Sequence, residues 1–200
     1  MRLYLAAHHY QTKNLARLYP ERIGCCIQPG GWVKNLEMPY FLDNGAYSDF
    51  KQGRPFREQA FLKLLDKANN YASDRSPDFV VVPDRVNDPT TTNLLWETWS
   101  RRIKHINPQF KLAYVAQPTF DGGFPKIPPE ADIIFTGGLK PWKFQAVIAY
   151  RHLNKPIHVG GISASKLYWC HLQGAASGDS TGFFRGDMAQ LQKLCQRPKH

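Results

Sequence analysis

The sequence predicts an α/β fold, a compact (β/α)8 barrel of the TIM type, on three observations. Short apolar runs recur eight times along 200 residues, most of them ending at Gly, Asp or Pro. Helix-period stretches lie between them, the alternation of α/β proteins. Most runs are apolar at successive rather than alternate positions, as in strands covered on both faces of a parallel sheet. Such barrels range upward from about 200 residues, so the chain is read as a minimal one, a single domain over residues 1–200. An open doubly wound sheet is the competing architecture. No G-x-G-x-x-G opens a helix and no P-loop is present, so a nucleotide-cofactor fold has no motif behind it.

The predicted elements follow in order. Strands are expected over residues 2–7 (RLYLAA), 23–27 (IGCCI) and 40–43 (YFLD). A helix follows over 56–71, where Phe56, Ala60, Leu64 and Ala68 keep near-helical spacing. The run 79–84 (FVVVPD) is the fourth strand, and Asp88-Pro89 signals the start of a helix that continues over 92–106. Trp96 and Trp99 fall on that helix and are expected in the core. The fifth and sixth strands are 111–117 (KLAYVAQ) and 133–138 (IIFTGG), joined by a Gly- and Pro-rich loop, 118–129, expected to be the most mobile segment. A helix over 142–153, a strand at 157–161 (IHVGG), a helix over 163–173, a weaker strand at 177–179 and a helix over 187–195 complete the order.

Composition narrows the function classes. Hydrophobic residues are 42% and aromatic residues 13%, too many for a disordered chain. No apolar run approaches the ~20 residues of a membrane span, and no signal-peptide region is visible, so a cytoplasmic protein without membrane contact is expected. Cys25, Cys26, Cys170 and Cys195 form no C-x-x-C pair and read as buried free thiols. His8-His9 and Cys25-Cys26 are short-spaced candidate metal-ligand pairs, but neighbours on a strand face opposite sides, so no metal site is expected. Lys plus Arg number 26 against 16 Asp plus Glu, a formal charge of +10. Part of that charge clusters, which suggests a nucleic-acid partner, against the alternative of solvated helix faces.

The chemistry is expected at the carboxyl ends of the strands, the active-site face of a barrel. Asp43, Asp84, Gln117 and Asp179 each stand at such an end, with the glycine pairs Gly137-Gly138 and Gly160-Gly161. A single Asp after a strand is commonly a turn or capping residue. Several on one rim raise the functional reading. Carboxylates, a planar amide and glycine backbone suit a heterocyclic base, with its hydrogen-bonding edge and two π faces. Tyr47 could supply a stacking face, with an ordinary core tyrosine as the alternative. Paired carboxylates fit glycosyl transfer, as nucleophile and acid/base. His158 lies in an apolar strand and reads as a core histidine; His8 or His9 could line the pocket.

These residues resemble the tRNA-guanine transglycosylase superfamily, and more closely its DNA-acting branch, the 7-deazaguanine DNA transglycosylases of phages and bacterial modification islands. Asp43-Asn44-Gly45-Ala46-Tyr47 resembles an Asp-Ser-Gly-Gly-aromatic motif, and Val82-Pro83-Asp84 falls where the family carries a base-reading Asp. Val115-Ala116-Gln117 is similar to a Val-Gln-Gly motif, and Gly137-Gly138-Leu139 matches a Gly-Gly-Leu turn, followed by Trp142-Lys143 as in the DNA branch. The stretch from His158-Val159-Gly160-Gly161 to Gly174-Ala175-Ala176-Ser177-Gly178-Asp179-Ser180-Thr181-Gly182 resembles the last glycine turn, helix and nucleophile strand of that branch.

The resemblance implies roles. Asp179 would be the nucleophile at C1′ and Asp43 the general acid/base. Asp84 and Gln117 would read the base edge, Gly137 and Gly138 would contact it through backbone, and Tyr47 would stack on it. Apart from the resemblance, the clustered charge and the place of Arg185 just past the last strand suggest phosphate contacts for Lys140, Lys143 and Arg185, with a solvated side chain as the alternative for each. The implied reaction exchanges guanine in DNA for a 7-deazaguanine such as preQ0, needs no cofactor, and could need a partner protein that presents the DNA. Asn44 and Ala46 depart from the motif, as does Pro118 after Gln117. No cysteine cluster follows Asp179, so the family's C-terminal zinc appendage is expected to be missing. The alternatives are the same exchange on tRNA or other RNA, a non-catalytic barrel that binds nucleic acid or a modified base, and a nucleoside hydrolase.

Overall fold

A computed structural model describes residues 1–6, 10–33, 36–71 and 75–180. Its centre is a closed barrel of eight parallel strands in sequence order: β1 (Arg2–Ala6), β2 (Ile23–Ile27), β3 (Tyr40–Leu42), β4 (Val80–Val81), β5 (Leu112–Ala116), β6 (Ile133–Thr136), β7 (Ile157–Val159) and β8 (Ser177–Ser180). The last strand returns to the first, pairing Tyr4 with Asp179, so no edge is left open. All eight expected strands are present. The fourth has only two paired residues, because Pro83 has no N–H to give a ladder bond, and Asp84 lies in the loop beyond it.

Six α-helices occur among the described residues: α1 (Tyr10–Leu18), α2 (Ala46–Lys51), α3 (Glu58–Tyr71), α4 (Pro89–Ile106), α5 (Lys140–Tyr150) and α6 (Ala164–Leu172). A 3-10 turn, Arg151–Leu153, extends α5. The four helices α3 to α6 were expected from periodicity. α4 starts where the sequence signals it, with the Asp88 side chain accepting from the Thr91 N–H and Pro89 in the first turn. α1 and α2 were not expected. α1 shows only Thr12, Leu15 and Ala16 to the core, and α2 has six residues, too few for a period to register. Strict alternation also fails, since no helix joins β2 to β3 or β5 to β6 among the described residues. The expected helix over 187–195 lies outside the described residues. Among those described, no helix is long and apolar enough to cross a membrane.

The period of two along each strand sorts the side chains into two clusters. Leu3, Leu5, Ile23, Cys25 and Tyr40 join Leu15, Phe61, Leu64, Trp96 and Trp99 in the layer between strands and helices. Tyr4, Phe41, Phe79, Val81, Ala113, Val115 and Ile133 fill the barrel, with Cys26 and Phe135 packed against them. Cys25 and Cys26 therefore face opposite sides of β2; both are free thiols, as is buried Cys170. At the amino-terminal end, Asp78 accepts from Arg2 and from the Tyr4 hydroxyl at 2.8 and 2.6 Å and plugs the barrel. A mixed-charge depression of about 710 Å³ opens there, lined by Arg22, Lys111 and Asp132 among others. The loop 118–129, expected to be mobile, is tied down: Trp142 Nε1 donates to the Gly123 carbonyl and the Tyr150 hydroxyl to that of Pro125.

Candidate active site

The opposite, carboxyl-terminal end of the barrel collects the expected polar residues. Asp43 follows β3 directly, Asp84 stands past β4, Gln117 follows β5 and Asp179 lies within β8. Asp43 is pushed up from an ordinary 3.8 to about 6, by burial first and then by the charge of Asp179. Gln28 opposes that rise by donating Nε2 to Oδ2 at 2.8 Å. Asp84 is pushed up to about 7, again by burial; the Asn44 amide opposes it and the Asp43 charge adds to it. Three carboxylates thus share one end of the barrel, and two of them titrate above the ordinary carboxylate range.

Amide side chains organise Asp84. Asn44 donates Nδ2 to Asp84 Oδ1 at 2.8 Å and to the Val82 carbonyl at 3.0 Å, and its Oδ1 accepts from the Ala46 N–H at 2.7 Å. Gln117 donates Nε2 to Asp84 Oδ2 at 2.8 Å and to the Arg85 carbonyl at 3.0 Å, and accepts from the Asn87 N–H at 2.7 Å. Gln117 was expected to present its amide to a base. It is buried and both halves of the amide are occupied, so it orients Asp84 instead. Each Asp84 oxygen keeps a lone pair for an incoming donor.

Asp179 is held from two sides. His158 Nε2 lies 3.0 Å from Oδ1, and the Gly161 N–H is 3.2 Å from both oxygens. Gly161 has φ +58°, a conformation that favours glycine. Lys143 was expected on the surface against phosphate. It is buried instead, and its Nζ donates to the carbonyls of Gly160 and Gly161 at 2.5 and 3.0 Å. The Gly160 carbonyl belongs to the peptide unit whose N–H faces Asp179, so the ammonium polarises that donor. Burial lowers the Lys143 pKa, and Asp179 opposes the shift.

The remaining expected residues divide. Tyr47 stands 64% exposed on α2, so the core alternative is excluded. Lys140 is exposed at the start of α5. The Gly137 N–H is bound to the Ala116 carbonyl, and Gly138, at φ +81°, turns the chain toward α5. Arg185, His8 and His9 lie outside the described residues. Sequence reasoning missed Gln28, Asn44 and the contact of His158 with Asp179. Gln28 follows β2 as Gln117 follows β5, so the strand-end rule could have found it. Among the described residues no group of three or more His, Cys, Asp or Glu is placed to hold a metal ion.

No family model and no curated protein matches the sequence. The functional reading therefore stands on the geometry of the site and on the motif resemblance.

Proposed function

We propose that the protein is a guanine transglycosylase acting on DNA, which replaces guanine by a 7-deazaguanine through a covalent bond to Asp179. The observation that carries this reading is the convergence of Asp43, Asp84 and Asp179 at one barrel end, with Asp43 raised to about 6 partly by Asp179. The architecture is then a compact TIM-type barrel with no helix among the described residues at two of its connections and its chemistry at the usual face. In the first half-reaction an Asp179 oxygen bonds to C1′ as the bond to the guanine nitrogen breaks, and the leaving base takes a proton from Asp43. In the second, the incoming base returns a proton to Asp43 and displaces Asp179 from C1′. A carboxyl that titrates near 6 suits that exchange close to neutral pH. Asp84, braced by Asn44 and Gln117, accepts from the base edge, and Tyr47 stacks on it. The target base leaves the helix to reach the site. The formal charge of +10, with Lys140 on the rim, favours phosphate contact. The proposed setting is the cytoplasm of a bacterial or phage-infected cell.

The test is to incubate the protein with duplex DNA and labelled preQ0, digest the DNA, and weigh the deoxynucleosides. Incorporation that disappears in Asp179→Asn supports the reading. Incorporation into RNA alone overturns the DNA assignment. Release of free guanine without incorporation indicates a hydrolase, and binding without either indicates a non-catalytic barrel.

A further inference from the structure

We propose that His158 and Ser177 form a positioning relay that selects Asp179 Oδ2 as the attacking oxygen; this rests on the reading of Asp179 as nucleophile. The relay is written into the sheet register. β7 and β8 pair His158 with Ser177, and Asp179 stands two residues after Ser177 on the same face of β8. One imidazole therefore spans both side chains inside the barrel. Its Nδ1 lies 2.8 Å from Ser177 Oγ, and its Nε2 lies 3.0 Å from Asp179 Oδ1.

The ring is held tightly. His158 is fully buried, stacked on Phe135 at 4.8 Å between centroids, with Phe41 at 5.0 Å and Phe79 at 5.2 Å. A ring boxed in this way keeps its orientation, so its tautomer decides what it offers. An ionised carboxylate only accepts, which makes Nε2 the donor. In the neutral ring Nδ1 is then an acceptor, filled by the Ser177 hydroxyl, which also fixes the tautomer. Among the described residues, Oδ1 thus receives the His158 N–H and a share of the Gly161 N–H, while Oδ2 receives only the other share. The less engaged oxygen keeps the lone pair for C1′.

The bond changes follow. Oδ2 bonds to C1′ as the C1′–base bond breaks, its electron pair leaving with the base, which takes the Asp43 proton. Oδ1 becomes the ester carbonyl and still accepts from Nε2. When the incoming base displaces the ester, the electron pair returns to Asp179 and the same N–H receives the carboxylate. His158 neither gains nor loses a proton. It is a positioning residue, of the kind that orients a reacting group from behind.

The experiment combines kinetics with nitrogen NMR of the full chain. Ser177→Ala and His158→Ala are expected to lower kcat of base exchange by about 10- to 100-fold, with KM for preQ0 within about twofold. His158→Gln, whose amide N–H can occupy the place of Nε2, is expected to recover most of the loss in His158→Ala. In the wild type the His158 ring nitrogens are expected to show a protonated Nε2 and an unprotonated Nδ1, with Ser177→Ala mixing the tautomers. Wild-type kcat in both alanine variants, a change confined to KM, or a protonated Nδ1 in the neutral ring overturns the relay. If His158→Ala fails to fold, Ser177→Ala and the tautomer decide. A wild-type protein that exchanges no base overturns the functional reading and the catalytic role of the relay with it. An active wild type whose Ser177→Ala variant is unaffected overturns the relay alone.

Discussion

Replacing Asp43 by Asn is expected to stabilise the fold at neutral pH while it abolishes base exchange. The carboxyl is raised from 3.8 to about 6, roughly two pKa units. Each unit corresponds to about 1.4 kcal/mol, so the ionised side chain costs the fold about 1–3 kcal/mol. The sign follows from linkage. Below about pH 4 both folded and unfolded chains carry the proton, and the group has no effect. As pH rises the unfolded chain releases it first, so stability falls between about pH 4 and pH 7 and then levels off. Asn at this position does not titrate, and its carbonyl still accepts from Gln28. Urea unfolding of both proteins at about pH 4, 5, 6 and 7.5 measures the difference directly. The advantage of the variant is expected to grow by about 1–3 kcal/mol across that window. It is expected to be smaller in an Asp179→Asn background, because Asp179 supplies part of the shift. A difference that stays flat or shrinks with rising pH would refute the electrostatic argument.

Three further predictions test other parts of the molecule. Lys140→Ala is expected to weaken DNA binding and to reduce its salt dependence, whereas Lys143→Met leaves the salt slope unchanged and slows exchange, because Lys143 is buried against Gly160 and Gly161; titrations at several salt concentrations separate the two. The buried Asp49 carboxylate accepts from Arg54 and from Arg57, whose donors hold its pKa down against the effect of burial. Asp49→Ala is expected to lower stability by about 1–3 kcal/mol at neutral pH, with the loss fading as pH falls below the ordinary carboxylate range, where the wild type loses the same contribution; chemical denaturation at both pH values checks it. Gly160→Ala would place a Cβ 2.5 Å from the Phe135 ring, which stacks on His158. It is expected to cost about 1–3 kcal/mol and to slow exchange, read by thermal melts and single-turnover kinetics.

The strands were legible because burial on both faces writes unbroken apolar runs, and a run such as residues 112–116 leaves little else to form. The short polar strand Ser177–Ser180 was the weakest signal. Its place comes from closure of the barrel between β1 and β7, which no local pattern records. α2 was not legible for a similar reason: six residues started by Gly45 at φ +78° carry too little periodicity.

The site shows where reading by position stops. A carboxylate at a strand end is visible in sequence, and Asp43, Asp84 and Asp179 do reach one end of the barrel. The occupancy of a side chain by its neighbours is not visible. Gln117 and Lys143 sit at the expected places in the chain, yet one is occupied by Asp84 and Asn87 and the other by two glycine carbonyls. Both corrections have one cause. At a barrel mouth every buried polar group must find a partner, and the nearest partners are the other expected site residues. Among the described residues, groups expected to face the substrate one by one therefore face each other, and leave outward what that pairing does not use: lone pairs of Asp84 and of Asp43 and the less engaged oxygen of Asp179. That remainder, rather than the full set of polar residues, defines what a substrate can meet. It also explains why His158, read from its apolar strand as a core histidine, touches the site. Its burial satisfies the ring and at the same time brings its N–H to the one carboxylate whose orientation matters most for the proposed chemistry.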